Sequence, residues 1–178
     1  NIKKKLSYDI NFLDHIKDLS INNDEILFIY SNEFFDAISS KQYVFSDKNF
    51  YEIRITKKNG EYTIIYEYTA LSDYLKNFYS EYSFKNGDIL EHSGILLNYL
   101  EDLNSILKKN FFFTATDYGY QKLPKKSTLR IISNHQPIKL FDKFENVDYS
   151  FGVNFELIKK VFNKFNPNFM SQKDLIEN

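Results

Sequence analysis

Cysteine is absent from the 178 residues, and with it go disulfides, thiolate nucleophiles and zinc–thiolate centres. Glycine occurs five times, at positions 60, 87, 94, 119 and 152. That spacing excludes G-x-G-x-x-G and P-loop patterns, so these residues contain no loop that cradles a phosphate or dinucleotide. Charge of one sign is lacking too: 23 basic and 24 acidic residues leave a net charge of −1. Such a balance gives no electrostatic footprint for nucleic acid or an anionic membrane, and Lys3-Lys4-Lys5 is short enough to be a solvated face. No apolar run approaches the ~18 to 20 residues of a membrane-spanning helix. The three histidines, His15, His92 and His135, are far apart; no H-x-x-x-H metal spacing or Ser-His-Asp pattern can be read, and no metal is expected. No secretory pattern is read either, which makes the cytoplasm the expected location. The chain opens at Asn1 in mid-pattern and without Met, as expected of a piece of something longer.

Hydrophobic residues make up 43%, with 14 Tyr and 18 Phe but no Trp. A chain of this length and composition suits one domain, residues 1–178, with ample material for a core. Phe and Tyr are read mainly as core filler, their abundance matching an A/T-rich codon usage.

The most informative stretch runs from Ile26 to Ala37. Ile26 to Tyr30 has the length and residue types of a buried strand. It ends in Ser31-Asn32-Glu33, and Phe34 to Ile38 reads as the first turns of a helix. In an open parallel sheet, ligands bind beyond the carboxyl ends of strands, where such turns deliver polar groups. Capping by Ser31 or Asn32, with acids complementing a helix end, is the simpler account of these residues taken alone.

Elsewhere, Tyr8 to Phe12 is a weak strand, and His15 lies in a polar helical turn. Gln42 to Phe45 reads as a short strand. Phe50 to Thr56 and Glu61 to Thr69 alternate around Asn59-Gly60, the preferred two-residue hairpin turn. Counting outward pairs Ile55 with Ile64, Ile53 with Tyr66 and Tyr51 with Tyr68 on one apolar face. Glu52 falls opposite Glu67, and Arg54 is placed to offset their repulsion. Ser72 caps a helix bearing Leu75, Phe78, Tyr79 and Tyr82. After Asp88 to Ser93 comes a longer helix with Leu96, Tyr99, Leu100, Leu103, Ile106 and Leu107 at helical spacing, its end favoured by Lys108-Lys109. Phe111 to Thr116 is a second buried-type strand, ending in Asp117-Tyr118-Gly119-Tyr120. Ser127 to Ser133 is a β-type run, Lys139 to Asn146 a loop, Val147 to Phe155 a last strand, and Glu156 to Phe165 an amphipathic helix. Helix followed by buried strand, twice over, argues for an α/β fold with a parallel sheet. Glu33 and Asp36 would then share a sheet edge with Asp117, where paired carboxylates could grip a guanidinium.

These stretches resemble the MidA-like family of S-adenosylmethionine-dependent methyltransferases, whose mitochondrial members are arginine methyltransferases required for assembly of respiratory complex I. Ser31-Asn32-Glu33-Phe34-Phe35-Asp36-Ala37 looks like the family's N-E-F-F-D-A block, and Asp117-Tyr118-Gly119-Tyr120 is similar to its D-Y-G-Y block. Thr128-Leu129-Arg130 with His135-Gln136 resembles T-L-R…H-Q, and Glu91-His92-Ser93 matches E-x-S. The four blocks keep their order over about residues 26 to 155. The resemblance implies a Rossmann-like class I methyltransferase sheet, here its carboxyl-terminal part without the glycine-rich cofactor loop, and with the hairpin as an insertion. It implies S-adenosylmethionine as cofactor, facing Asn32. It also implies catalytic roles for Asn32 and Glu33 with Asp36 in support, and substrate contacts from Asp117, Tyr118 and His135. The partner implied is a protein substrate, complex I subunits among the candidates; self-association stays open. Where the family has D-x-T-x-H-V-D-F, this chain has Asp148-Tyr149-Ser150-Phe151-Gly152-Val153-Asn154-Phe155, with Gly152 and Asn154 replacing His and Asp. A relative without methyl transfer, acting as a protein-binding assembly factor, is the alternative.

Overall fold

A computed structural model describes residues 12–22, 24–107, 110–142 and 146–177. The chain proceeds through β1 (Leu27–Asn32), β2 (Lys41–Ser46), β3 (Asn49–Lys58), β4 (Glu61–Thr69), α1 (Asp73–Phe78), β5 (Ile89–His92), α2 (Gly94–Ile106), β6 (Phe111–Thr116) and β7 (Gly119–Tyr120). It continues through β8 (Arg130–Ser133), β9 (Gln136–Pro137), β10 (Val147–Ser150), β11 (Val153–Asn154), α3 (Phe155–Val161) and α4 (Gln172–Glu177). The lysines expected at 3–5 and 108–109, and the strand expected at Tyr8 apart from Phe12, lie outside the described residues. His15 precedes a single 3-10 turn, Ile16–Asp18.

The two buried-type runs are neighbours. β1 and β6 pair in parallel from Leu27 opposite Phe111 to Asn32 opposite Thr116, so both chains leave the same edge. α2 and α3 cover one face of this pair. Its core joins Leu96, Leu97, Leu100, Leu103 and Leu107 to Phe35, Leu157, Ile158 and Phe162, with Leu27, Ile29, Phe111 and Phe113 packed against them. Burying each such leucine stabilises by about 1.5 to 3 kcal/mol. Ser93 caps α2: its hydroxyl accepts from Leu96 N–H at 3.1 Å and donates to Ser39 O at 2.7 Å. The opposite face of β1 and β6 carries exposed Phe28, Tyr30 and Phe112.

Between β1 and α2 the chain builds a second, antiparallel sheet of order β4-β3-β2-β5. The expected hairpin pairs residue for residue, including Ile55–Ile64, Ile53–Tyr66, Tyr51–Tyr68 and Glu52–Glu67. Arg54 bridges Glu52 and Glu67, and Lys41 joins Glu52 at 3.2 Å. Inner residues of this sheet pack a smaller core of Tyr43, Leu71, Tyr79, Leu90 and Leu123. The outer half of the hairpin projects beyond it.

Several local expectations are corrected. Phe34 to Ile38 forms a turn and not a helix. Glu33 adopts a left-handed φ of 47°, and the N–H groups of Phe35 and Asp36 bond the Asp117 carboxylate. Asp88 to Ser93 contains a strand, β5, that pairs with β2. The single strand expected over Val147 to Phe155 is two: β10 joins β8 antiparallel, while β11 joins β7 in parallel. Between them, Phe151 N–H donates to Asp36 O and Gly152 N–H to Thr128 Oγ1. α1 stops before Tyr79, which turns inward to the smaller core. α3 ends at Val161 and a 3-10 turn, Asn163–Phe165, completes the segment before Pro167.

Candidate functional site

Three segments converge beyond the carboxyl ends of β1 and β6. The first is Asn32 to Asp36, and Glu33 N–H extends the strand ladder by donating to Thr116 O at 2.9 Å. The second is Asp117-Tyr118. Asp117 Oδ2 accepts from Phe35 N–H at 2.9 Å and Asp36 N–H at 3.3 Å, while Oδ1 accepts from Tyr118 N–H at 2.8 Å. The third arrives through Phe151 N–H on Asp36 O, and Val153 N–H on Tyr118 O at 2.8 Å. Asp117 thus fastens the two strand-end turns together, its carboxylate occupied by backbone donors.

Asn32, Glu33 and Tyr118 are exposed around this edge; Asp36 and Asp117 are half-buried. Burial raises the Asp36 carboxyl above the usual carboxylate range, and the negative charges of Asp117, Glu33 and Asp148 add to the effect. The Arg130 guanidinium lies 5.8 Å from the Tyr118 ring centroid, a cation on an aromatic face at the border of an acidic edge. His135 sits elsewhere. It shares with Asn134 the two-residue turn between β8 and β9, both in left-handed conformation. Arg130 and Ser133 are the ends of β8, about 10 Å apart at strand rise, and His135 lies beyond Ser133.

Gly119 has a steric role: a Cβ there would come within 2.1 Å of Val153 O. Only glycine lets β7 lie against β11 so closely. Gly152 has a milder one, since a Cβ would meet Thr128 side-chain atoms at 3.2 Å. Asn154 is buried and caps α3, its Oδ1 accepting from Leu157 N–H at 3.1 Å.

Glu91, noted in the sequence only as part of a short match, is a buried clasp. It accepts from Gln42 Nε2 at 2.6 Å, Thr128 N–H at 2.9 Å and Thr128 Oγ1. The sign of it in the sequence is a carboxylate between Leu90 and a helix cap, where a charge must find partners. Next to it, His92 is buried with Nδ1 3.3 Å from Tyr79 Oη. Burial pushes the His92 pKa down from 6.5 to about 4. An unfolded His92 takes up a proton below about pH 6.5 that the folded one refuses until about pH 4, so stability falls with pH across that window. At about 1.4 kcal/mol per pH unit, the loss is about 3 kcal/mol. Urea unfolding of His92→Gln should therefore show a shallower decline than wild type between about pH 7 and pH 4.5. Parallel declines would exclude His92 as the cause.

Among the described residues no cluster of acids and histidines is arranged to hold a metal, and no helix is long and apolar enough to cross a membrane. The architecture is a parallel strand pair with polar turns at its carboxyl edge and helices on one face, part of a Rossmann-like α/β fold shared with the solved structures below. The model of the family described as "Putative S-adenosyl-L-methionine-dependent methyltransferase" matches residues 1–169, and the chain belongs to that family. Among solved structures, a COG1565 superfamily member from Burkholderia thailandensis bound to S-adenosyl-homocysteine aligns with a TM-score of 0.67 at 14% identity, over 88% of this chain. A native crystal structure of a COG1565 superfamily protein from the same organism aligns with a TM-score of 0.64 at 13% identity, over 83% of this chain. The chain spans 41% of the length of each of these neighbours. A search of curated proteins finds no similar sequence.

Proposed function

We propose that the protein methylates arginine side chains of a protein substrate, using S-adenosylmethionine, and that these residues form the acceptor side of its site. The observation that carries the proposal is the carboxylate edge: Glu33 exposed, Asp36 behind it with its ionised form disfavoured by burial and by Asp117, Glu33 and Asp148. An arriving guanidinium offsets that repulsion and matches paired carboxylates with its planar fork of donors. Tyr118 adds an aromatic face at the same edge.

S-adenosylmethionine supplies an activated methyl group, and the protein's share of the work is positioning. The exposed amide of Asn32 is suited to hold the donor beside Glu33. No glycine lies among the turn residues 31–37 or at 116–118, so these residues offer one wall of a donor site and no backbone cradle. Residues 1–178 alone are accordingly expected to bind S-adenosylmethionine weakly, and low-micromolar binding in a calorimetric titration would refute that.

The link to respiratory complex I subunits as substrates rests on the MidA-like resemblance, as does the role of His135 in substrate contact. A cytoplasmic site of action and an acceptor other than nucleic acid belong to the same proposal, the latter supported by the balanced charge. Gly152 and Asn154 favour a second reading, a protein-binding assembly factor without methyl transfer. The deciding experiment incubates the full-length protein with radiolabelled methyl donor and a candidate complex I subunit. Label on arginine supports the enzyme; a stable complex without label supports the assembly factor.

A further inference from the structure

β4 is the terminal strand of the antiparallel sheet, and among the described residues no strand pairs with its outer edge. It is nine residues long, pairs without a bulge along β3, and contains neither proline nor lysine. Natural edges of this length are usually blunted by such devices or covered. Its exposed side chains include Tyr62 at 60%, Ile65 at 41%, Tyr66 at 62% and Tyr68 at 62%, interspersed with Glu61, Thr63 and Glu67.

The two-residue turn fixes which backbone groups are free. Asn59 and Gly60 both have positive φ, the geometry in which the flanking Lys58–Glu61 pair exchanges hydrogen bonds. Bonded and non-bonded pairs alternate in an antiparallel ladder, so Glu61, Thr63, Ile65, Glu67 and Thr69 point their backbone groups at β3. Tyr62, Ile64, Tyr66 and Tyr68 point theirs outward.

We infer that β4 pairs antiparallel with β4 of a second copy of this chain, about a two-fold axis at Ile65. In that register Tyr62 meets Tyr68 of the second copy and Ile64 meets Tyr66. Every outward N–H and C=O of these four residues finds a partner, because outward residues face outward residues. The charges also agree: Glu61 falls opposite Thr69 and Glu67 opposite Thr63, so no glutamate faces another. A self-complementary strand is what an isologous dimer requires, and apolar cross-strand pairs are what such a ladder selects. This inference is independent of the proposed activity.

Ile65 on the axis is a non-bonded pair, with Cα atoms about 4.5 Å apart, within the range a disulfide spans. These residues contain no cysteine, so Ile65→Cys in the full-length protein can be read by peptide mapping. Mild oxidation should give a 65–65 linked dimer, whereas Thr63→Cys, which faces position 67, should link only when mixed with Glu67→Cys. Ile64→Pro removes an outward N–H and leaves the β3 ladder intact, as edge prolines do. It should weaken dimerisation by about tenfold or more in sedimentation, with an unchanged circular dichroism spectrum. A monomer at the highest soluble concentration overturns the inference. So does a cross-link from position 65 to another segment of the same polypeptide, or a dimer indifferent to Ile64→Pro.

Discussion

Replacing Asp117 by alanine is expected to lower the free energy of unfolding by about 3 to 4 kcal/mol. Each backbone bond to a charged acceptor is worth roughly 1.5 to 3 kcal/mol, and Asp117 accepts two across the strand ends, that from Asp36 being longer at 3.3 Å. Alanine strands both donors in a half-buried turn. Asp117→Asn keeps one carbonyl acceptor and should lose about half as much. The same substitutions should also depress methyl transfer, because the 33–36 turn loses its anchor. Urea titration decides between support and contact: a change under about 0.5 kcal/mol, the range of ordinary surface substitutions, with transfer still lost would make Asp117 a substrate ligand and not the fastener.

Glu33→Gln is expected to do the reverse, leaving the melting temperature nearly unchanged and lowering methyl transfer by about ten- to a hundred-fold. Glu33 is exposed, and its side chain caps no helix, since Phe34 to Ile38 is a turn. On the proposed arginine acceptor, the loss of one charge-assisted bond to a guanidinium is worth roughly 1.5 to 3 kcal/mol, which converts to that range of rates. Radiolabelled methyl transfer by the full-length protein and a thermal melt measure the two quantities separately. Full activity in Glu33→Gln would remove Glu33 from the site.

The two parallel strands, the hairpin with its register and the longer helix could be read from the sequence because each is specified locally. Apolar run lengths mark β1 and β6, Asn59-Gly60 sets the β3–β4 pairing, and leucines at helical spacing mark α2. What could not be read depends on partners distant in sequence. The turn at Phe34 looks helical until Asp117 takes its amide groups. β5 is four residues long and is defined by β2, forty-odd residues away. Phe151-Gly152 divides what reads as one strand, because Asp36 and Thr128 claim its backbone. The candidate site is legible in residue type at Asn32, Glu33 and Asp36. The approach of the Arg130 guanidinium to the Tyr118 ring and the identity of the partners that Glu91 clasps emerge only in three dimensions.

The β1–β6 pairing also sets an order in time. Leu27 and Phe111 are partners 84 positions apart (111 − 27), whereas β3 and β4 meet across a two-residue turn. A hairpin closes in about 1 to 10 μs, and pairings of long sequence separation wait for loop-closure entropy to be overcome. The edge proposed to face a second copy is therefore among the earliest features of the chain to exist, and the polar edge where chemistry is proposed among the latest. Loosening follows burial and not the order of formation: the outer hairpin, exposed from Glu61 to Tyr68, would fray while β1 and β6 are still held by the larger core, so the carboxylate edge would outlast the strand edge that formed before it.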